Sequence, residues 1–346
     1  MNIEKKHLMI FTAILGVLLF WYVFTKVPLR EVLNTISNAT WQLIALYLAS
    51  VILIQLVLTY RWKIILESQG IKHSFWKLNN YRMAGVSVGF LTPSASLGGE
   101  PVRAGLLSKE ADLSFEKALS SVVIDKTIEL SSSAVFFIIG SIILLLAFVV
   151  SPKLEIALII ISLIFLLLVI SFNYRMFQGK KFFHPIIKFV GLLKVKRIKK
   201  IENKILDFEK LVLKFFKKDK KHFVYVVLFS LLSWIIMFVE YSVLARIVGQ
   251  NLEAIQIFLA FSFVGGAYIL PIPMGIGALE AGQVSLFSII QISAAAGLAL
   301  ALIVRLKDTL LSAIGVLIFF KYGLNFNALK NARVSDKERK EVIKKL

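Results

Sequence analysis

Charged side chains stand at four places inside otherwise apolar sequence, and each spacing suggests a task. The first place reads Thr92-Pro93-Ser94-Ala95-Ser96-Leu97-Gly98-Gly99-Glu100-Pro101-Val102-Arg103. Pro93 removes a backbone donor, and Gly98 and Gly99 admit positive φ, so a helix should break here. Pro101 suits the first turn of a new helix. Such a helix N-terminus offers free N–H groups and a positive dipole end to phosphate. Arg103, one turn on, adds a planar fork that matches phosphate oxygens. The competing reading is a surface loop whose arginine meets lipid headgroups. The second place is Asp125-Lys126 with Glu129; Asp125 and Glu129 are four apart and share a helix face. The third is Pro271-Ile272-Pro273-Met274-Gly275-Ile276-Gly277, followed by Glu280. It separates two apolar segments, and broken backbone at membrane depth must be buried in protein or line a cavity. The fourth is Arg305, Lys307 and Asp308. Charges inside a membrane are costly and mark substrate or ion paths; a shallow interfacial cluster is the competing reading for Asp125 and its neighbours.

The elements that must position these residues are apolar helices. The chain has 346 residues, 58% of them hydrophobic, and a mean hydropathy of +0.80. Soluble domains hold about 45–50% apolar residues, and a spanning helix needs about 20. Apolar spans run from about Leu8 to Phe24, Leu43 to Tyr60, Ala118 to Val150, Leu154 to Phe172, Phe223 to Val248 and Leu298 to Phe320. Two more segments, Ile255 to Leu270 and Ala278 to Ile292, flank the third charged place, and a Gly/Ser/Pro-rich mixed region covers Leu78 to Glu116. The first span follows Lys5 and Lys6 and lacks a small-residue cleavage site, so it reads as a retained signal anchor. The expectation is an all-α polytopic membrane protein with about six to eight transmembrane helices plus re-entrant or broken helices.

The formal net charge of +20 follows topology. Thirty-one Lys and Arg residues fall in one set of connections, whereas the alternate connections hold Lys26, Arg30 and Lys153, with Arg246 at a span end. The positive-inside rule then puts both termini on the cytoplasmic side of a multi-pass cell-membrane protein. The insert at 173–221 carries 16 bases against four acids. Ile198, Ile201, Ile205, Phe208, Leu211 and Phe215 recur every three or four residues, which predicts a basic amphipathic helix. Such a helix solvates charge and fixes topology, or docks on anionic lipid; nucleic acid is not an expected partner. Without cysteine there is no disulfide, zinc-thiolate site or cysteine nucleophile. The four histidines have no ligand spacing, no Ser-His set assigns a catalytic residue, and no phosphate-binding loop of the Walker type supports direct nucleotide drive. No cofactor or metal is expected.

The first and third places are also related to each other. Residues 93–100 lie on 273–280 at an offset of 180, which carries Asp125 onto Arg305 and Ser132 onto Ser312. Counting crossings gives the two segments opposite topology. Paired Gly/Pro-broken segments in inverted halves point to a transporter site near the midplane. The chain therefore reads as a single domain at 1–324, with repeat one at about 78–150, repeat two at about 255–322, and a basic tail at 325–346. In this arrangement Arg305 is expected to face Asp125 or Glu129 across the pseudo-axis.

The stretches LTPSASLGGEPVRAGLLS, SSVVIDKTIEL and LPIPMGIGALEAG resemble the lysylphosphatidylglycerol synthase transmembrane, or flippase-like, domain family, from about Leu8 to Leu324. The resemblance implies translocation of a polar-headed, phosphate-bearing lipid between leaflets, with an anionic phospholipid or an isoprenoid-phosphate lipid as partner. By matching position it implicates Gly98, Gly99, Glu100, Arg103, Asp125, Glu129, Pro273, Gly275, Gly277 and Glu280. The short tail after Leu324 leaves no room for the soluble transferase of two-part members, so that activity is not carried over. With Pro93 and Arg305 added from the residue reading, these form the expected lipid-binding set. Arg103 and Arg305 would hold phosphate. Glu100, Glu280, Asp125 and Glu129 would bind a cationic headgroup, carry coupling protons or balance the arginines. Two other functions fit the sequence: an intramembrane enzyme that modifies a lipid headgroup, or a scaffold acting through the basic insert. A homo-oligomer is compatible with it.

Overall fold

The computed structural model describes residues 39–92, 97–185, 202–265 and 272–322, together with Arg30 and Asn34. The expected first span, Pro93, the middle of the insert, Pro271 and the basic tail lie outside the described residues. Every described element is helical. In chain order these are α1 (Trp41–Ser68), α2 (Phe75–Leu91), α3 (Glu100–Glu110), α4 (Phe115–Ala147), α5 (Pro152–Gln178), α6 (Glu202–Lys218), α7 (Lys220–Ile247) and α8 (Ala254–Ser262). A 3₁₀ turn (Pro273–Gly275) precedes α9 (Ala278–Ile289) and α10 (Ala294–Lys321).

Four of these, α1, α4, α5 and α7, are long and apolar enough to cross a membrane. α1 runs 28 residues without Gly or Pro, about 42 Å at 1.5 Å per residue. α10 is equally long, but Arg305, Lys307 and Asp308 interrupt its apolar sequence. Hydroxyl and carboxylate caps mark the starts: the Ser114 side chain accepts from Lys117 N, Ser151 from Leu154 N and Asp219 from His222 N. α5 opens with Pro152 and closes at Gly179 in the left-handed region, φ 69°. Its isoleucines and leucines point outward along most of its length, as a lipid-facing helix requires.

Two differences from the expected boundaries carry meaning. The mixed region 78–116 resolves into two helices, α2 and α3. The span expected at Leu43 to Tyr60 does not stop before the basic Arg61-Trp62-Lys63 triplet, because α1 continues to Ser68 and buries Arg61 and Trp62. Lys63 alone of the three stays partly exposed, near Glu67.

The predicted amphipathic helix is α6, and its apolar face docks on protein. Val212, Phe215 and Phe216 pack with Phe172 and Met176 of α5 and Val226 of α7. Glu209, also buried, accepts the Phe183 N–H at 2.7 Å and that of Phe182. These contacts occupy the face that would otherwise enter a lipid surface.

The core is assembled by exchange. α2 packs on α3 and on α10, and α8 packs on α4 and α7. Small residues allow both close approaches. A Cβ on Gly315 of α10 would lie 2.3 Å from the Met83 carbonyl oxygen of α2, and one on Gly140 of α4 would lie 2.9 Å from Ser262 Cβ of α8.

Candidate functional site

Three helices bring six charges together. Asp125, fully buried on α4, is the hub. Its Oδ1 accepts from Arg61 Nε of α1 at 2.8 Å, and its Oδ2 from Arg103 Nη2 of α3 at 2.8 Å. One turn on, Glu129 lies 3.5 Å from Arg61 Nη2 and 2.7 Å from Lys126 Nζ. Glu100 closes the ring, with Arg103 Nη1 at 3.2 Å and Lys126 Nζ at 3.9 Å. Arg61 also donates to Ser230 Oγ of α7 at 3.2 Å. The Arg103 guanidinium sits over the Trp62 ring, 4.4 Å from its centroid, and Trp62 Nε1 donates to Ser121 Oγ. Fixed, paired side chains of this kind are what a polar site in hydrocarbon needs, because a lone charge there is strongly disfavoured.

Local sequence places these groups. Gly99 N-caps α3, and its α-carbon region lies against Gly85 of α2 so closely that a Cβ on Gly99 would be 1.9 Å from the Gly85 carbonyl oxygen. A Cβ on Gly85 would meet Arg103 Cγ at 2.4 Å, so the arginine stem lies across the space the missing side chain leaves. α3 does not offer the expected phosphate cradle, however. The Glu100 and Val102 amides donate to Leu97 and Gly99 carbonyls, Pro101 has no N–H, and the Glu100 carboxylate already occupies the positive helix end. Any anion here is left to side-chain donors.

A second cluster holds the broken segment of the other half. Glu280, fully buried in the first turn of α9, accepts the Gly277 N–H at 2.9 Å. Arg305 of α10 pairs with both Glu280 oxygens, through Nε and, at 2.9 Å, through Nη2. Its remaining donors reach the carbonyls of Met274 at 2.8 Å and Gly275 at 3.2 Å. Arg305 thus staples a turn in which Met274, Gly275 and Gly277 all have positive φ, a conformation costing a non-glycine residue such as Met274 roughly 1–2 kcal/mol. The expected pairing of Arg305 with Asp125 or Glu129 is therefore corrected. Arg305 finds its carboxylate within its own half, because Glu280 reaches it from one short helix away, and Asp125 is held by Arg61 and Arg103. Arg305→Lys, which keeps the charge but loses the fork, is expected to cost about 2 kcal/mol. Arg305→Met, which strands a buried carboxylate, should cost about 3–5 kcal/mol. Thermal unfolding of the purified protein checks the order; equal stability of Arg305→Met and wild type contradicts it.

The two clusters are linked by α2, which packs on α3 on one side and on α10 and the 273–275 turn on the other. A third pair lies elsewhere in the bundle: Lys307 Nζ on α10 is 3.0 Å from buried Glu240 of α7.

The structure thus brings Gly99, Glu100, Arg103, Asp125 and Glu129 to one cluster and Gly275, Gly277, Glu280 and Arg305 to another. Gly98 adjoins the first in the turn before α3, and Pro273 opens the 3₁₀ turn of the second. Sequence reading missed Arg61, Arg82, Gln55 and Glu240. Arg82 is buried on α2, with Nη1 donating to Gln55 Oε1 of α1 at 2.7 Å. The signal for Arg61 was its position inside an apolar run long enough to continue past it. Arg82 is flagged only by its apolar, small-residue sequel Met83–Leu91.

The model of the family described as the lysylphosphatidylglycerol synthase TM region matches residues 9–315. The chain belongs to this family. Curated relatives of this lysylphosphatidylglycerol synthase TM-region protein are UPF0104 membrane proteins. One from Methanothermobacter thermautotrophicus is 26% identical over 293 residues, 81% of this chain and 85% of its own. One from Pyrococcus horikoshii is 24% identical over 323 residues, 89% of this chain and 93% of its own. No solved structure matches the chain. Family membership, the spanning helices and the outward apolar belt make it a multi-pass membrane protein.

Proposed function

We propose that this protein binds the phosphate-bearing headgroup of a membrane lipid and moves it between leaflets, with the acyl or isoprenoid tails remaining in the bilayer. The observation that carries this is the buried, base-rich ring around Asp125, joined through α2 to the Glu280–Arg305 turn. Stability alone is a weak reason to retain so many buried ion pairs, and intramembrane ionisable clusters mark substrate paths. Helix architecture supports the inverted-repeat reading. In each half a break precedes a short helix with Glu in its first turn, a four-residue turn, and a long helix with a charge near its eleventh or twelfth residue. The exchange contacts have the matching form: α2 on α10 corresponds to α8 on α4. The excess of Lys and Arg in one set of connections supports a cytoplasmic position for both termini and α6.

Reconstitution into liposomes tests the proposal. Fluorescently labelled phosphatidylglycerol, its lysyl ester and a polyprenyl phosphate are each followed by quenching from the outer leaflet. Exchange of at least one of them should exceed that in protein-free liposomes. Background exchange for all three contradicts transport.

A further inference from the structure

The first cluster has a charge imbalance. Among the described residues its acids are Glu100, Asp125 and Glu129, and each is engaged by Arg61, Arg103 or Lys126. Arg82 is the fourth base. It is 6% exposed, its hydrogen bond goes to the neutral Gln55 amide, and no carboxylate of a described residue lies within ion-pair distance. Its neighbour on α3 is Arg103, whose stem lies against Gly85, one turn on from Arg82. Two buried arginines therefore stand at the α2–α3 contact, where like charges repel. Arg103 has a matching gap in its bonding: its Nε is buried and has no acceptor among the described residues. A buried cation without a counter-charge is a costly arrangement, and an orphaned charged donor beside it adds to that cost.

The fold does not require arginine at this position. At the offset of 180 that relates the two halves, Arg82 falls on Ser262, equally buried on α8 and uncharged. The approach is polar. Half-buried Gln55 and Asn79 flank Thr59, whose hydroxyl lies 2.7 Å from the Gln55 carbonyl and 3.0 Å from Asn79 Oδ1.

We infer that Arg82, with Gln55 and the free Nε of Arg103, forms a binding site for a singly charged oxyanion such as a phosphodiester, held between α1, α2 and α3. One negative charge neutralises the one surplus base. The oxyanion accepts from the Arg82 fork and from Arg103 Nε, replacing repulsion with two charge-assisted hydrogen bonds. The α3 helix start takes no part, because its first amides are already bonded. This inference rests on the lipid-transport reading and names the residues that hold the headgroup.

The test uses the full chain in neutral detergent, with dioctanoyl phosphatidylglycerol, inorganic phosphate and uncharged dioctanoylglycerol as probes. Trp62, stacked on Arg103, reports binding by fluorescence, and thermal unfolding reports stabilisation. Phosphatidylglycerol should bind and raise the melting temperature, and dioctanoylglycerol should not. Arg82→Gln should weaken that binding at least tenfold, Arg82→Lys should weaken it less, and unliganded Arg82→Gln should melt no lower than wild type because a surplus buried charge is gone. Saturable binding of inorganic phosphate with the same Arg82 dependence supports the site with the free ion as its source. Undiminished phosphatidylglycerol binding by Arg82→Gln overturns the site. So does a lower melting point of unliganded Arg82→Gln, which assigns the arginine to the scaffold. Arg82-dependent binding without leaflet exchange leaves this site standing and removes transport; exchange that persists undiminished in Arg82→Gln does the reverse.

Discussion

Asp125→Asn is expected to destabilise the protein by about 3–5 kcal/mol, the usual cost of removing one partner from a buried ionic cluster. The carboxylate is fully buried and receives 2.8 Å bonds from both Arg61 and Arg103. Asparagine has nearly the same shape, so packing is preserved, but the charge is lost and its amide NH2 faces one of the two arginine donors. With Arg82 already unneutralised, the cluster would then hold four bases against Glu100 and Glu129. Arg61→Met in the Asp125→Asn background should recover part of the loss, because it restores the balance that the first change upset. Thermal and denaturant unfolding in detergent measure both. A double variant less stable than Asp125→Asn would show that Arg61 stabilises the fold independently of Asp125.

Gly99→Ala is expected to be comparably damaging for a steric reason. Its Cβ would stand 1.9 Å from the Gly85 carbonyl oxygen, which belongs to helical backbone and has no rotamer to escape into. Overpacking usually costs about 1–3 kcal/mol; this contact should reach at least the upper end, because relief requires α2 and α3 to separate. Separation also shifts Arg103, whose stem crosses Gly85, so headgroup binding and leaflet exchange should fall together with stability. Gly282→Ala is the control. Nothing lies within 4 Å of its added Cβ, and alanine within α9 should be neutral or stabilise by up to about 1 kcal/mol. Wild-type stability in Gly99→Ala would mean that α2 and α3 do not touch as described.

Much of this organisation is legible in the sequence, for identifiable reasons. Long apolar runs declare α1, α4, α5 and α7, because a bilayer demands a length that few soluble helices match. Glu100, Asp125 and Glu280 stand out because an acid amid apolar residues needs a partner. The partners themselves are harder to read. Arg61 ends an apolar run and looks like an interfacial anchor until α1 is seen to continue for seven residues beyond it. Arg82 merges with Lys72 and Lys77 into what resembles a topology-setting basic loop. Arg305 sits at the same repeat offset as Asp125, which suggests attraction across the pseudo-axis. Proximity along the chain prevailed, since Glu280 and the strained 273–275 turn lie one short helix away. Periodicity shows that α6 is amphipathic but not what covers it; only Phe172 and Met176 of α5 and the Glu209 contacts decide that.

The exchange of α2 and α8 between halves bears on how the chain is made. α2 leaves the ribosome early, yet the α10 surface that closes over Met83 and Ser87 is the last described part to be synthesised. Until then its small-residue face lacks its final neighbour. The nascent chain therefore cannot mature half by half in the order of translation, as independent domains do. It must hold an incomplete polar element in or near the bilayer until its C-terminal helix inserts, so any lesion that delays α10 should expose α2 to quality-control proteolysis.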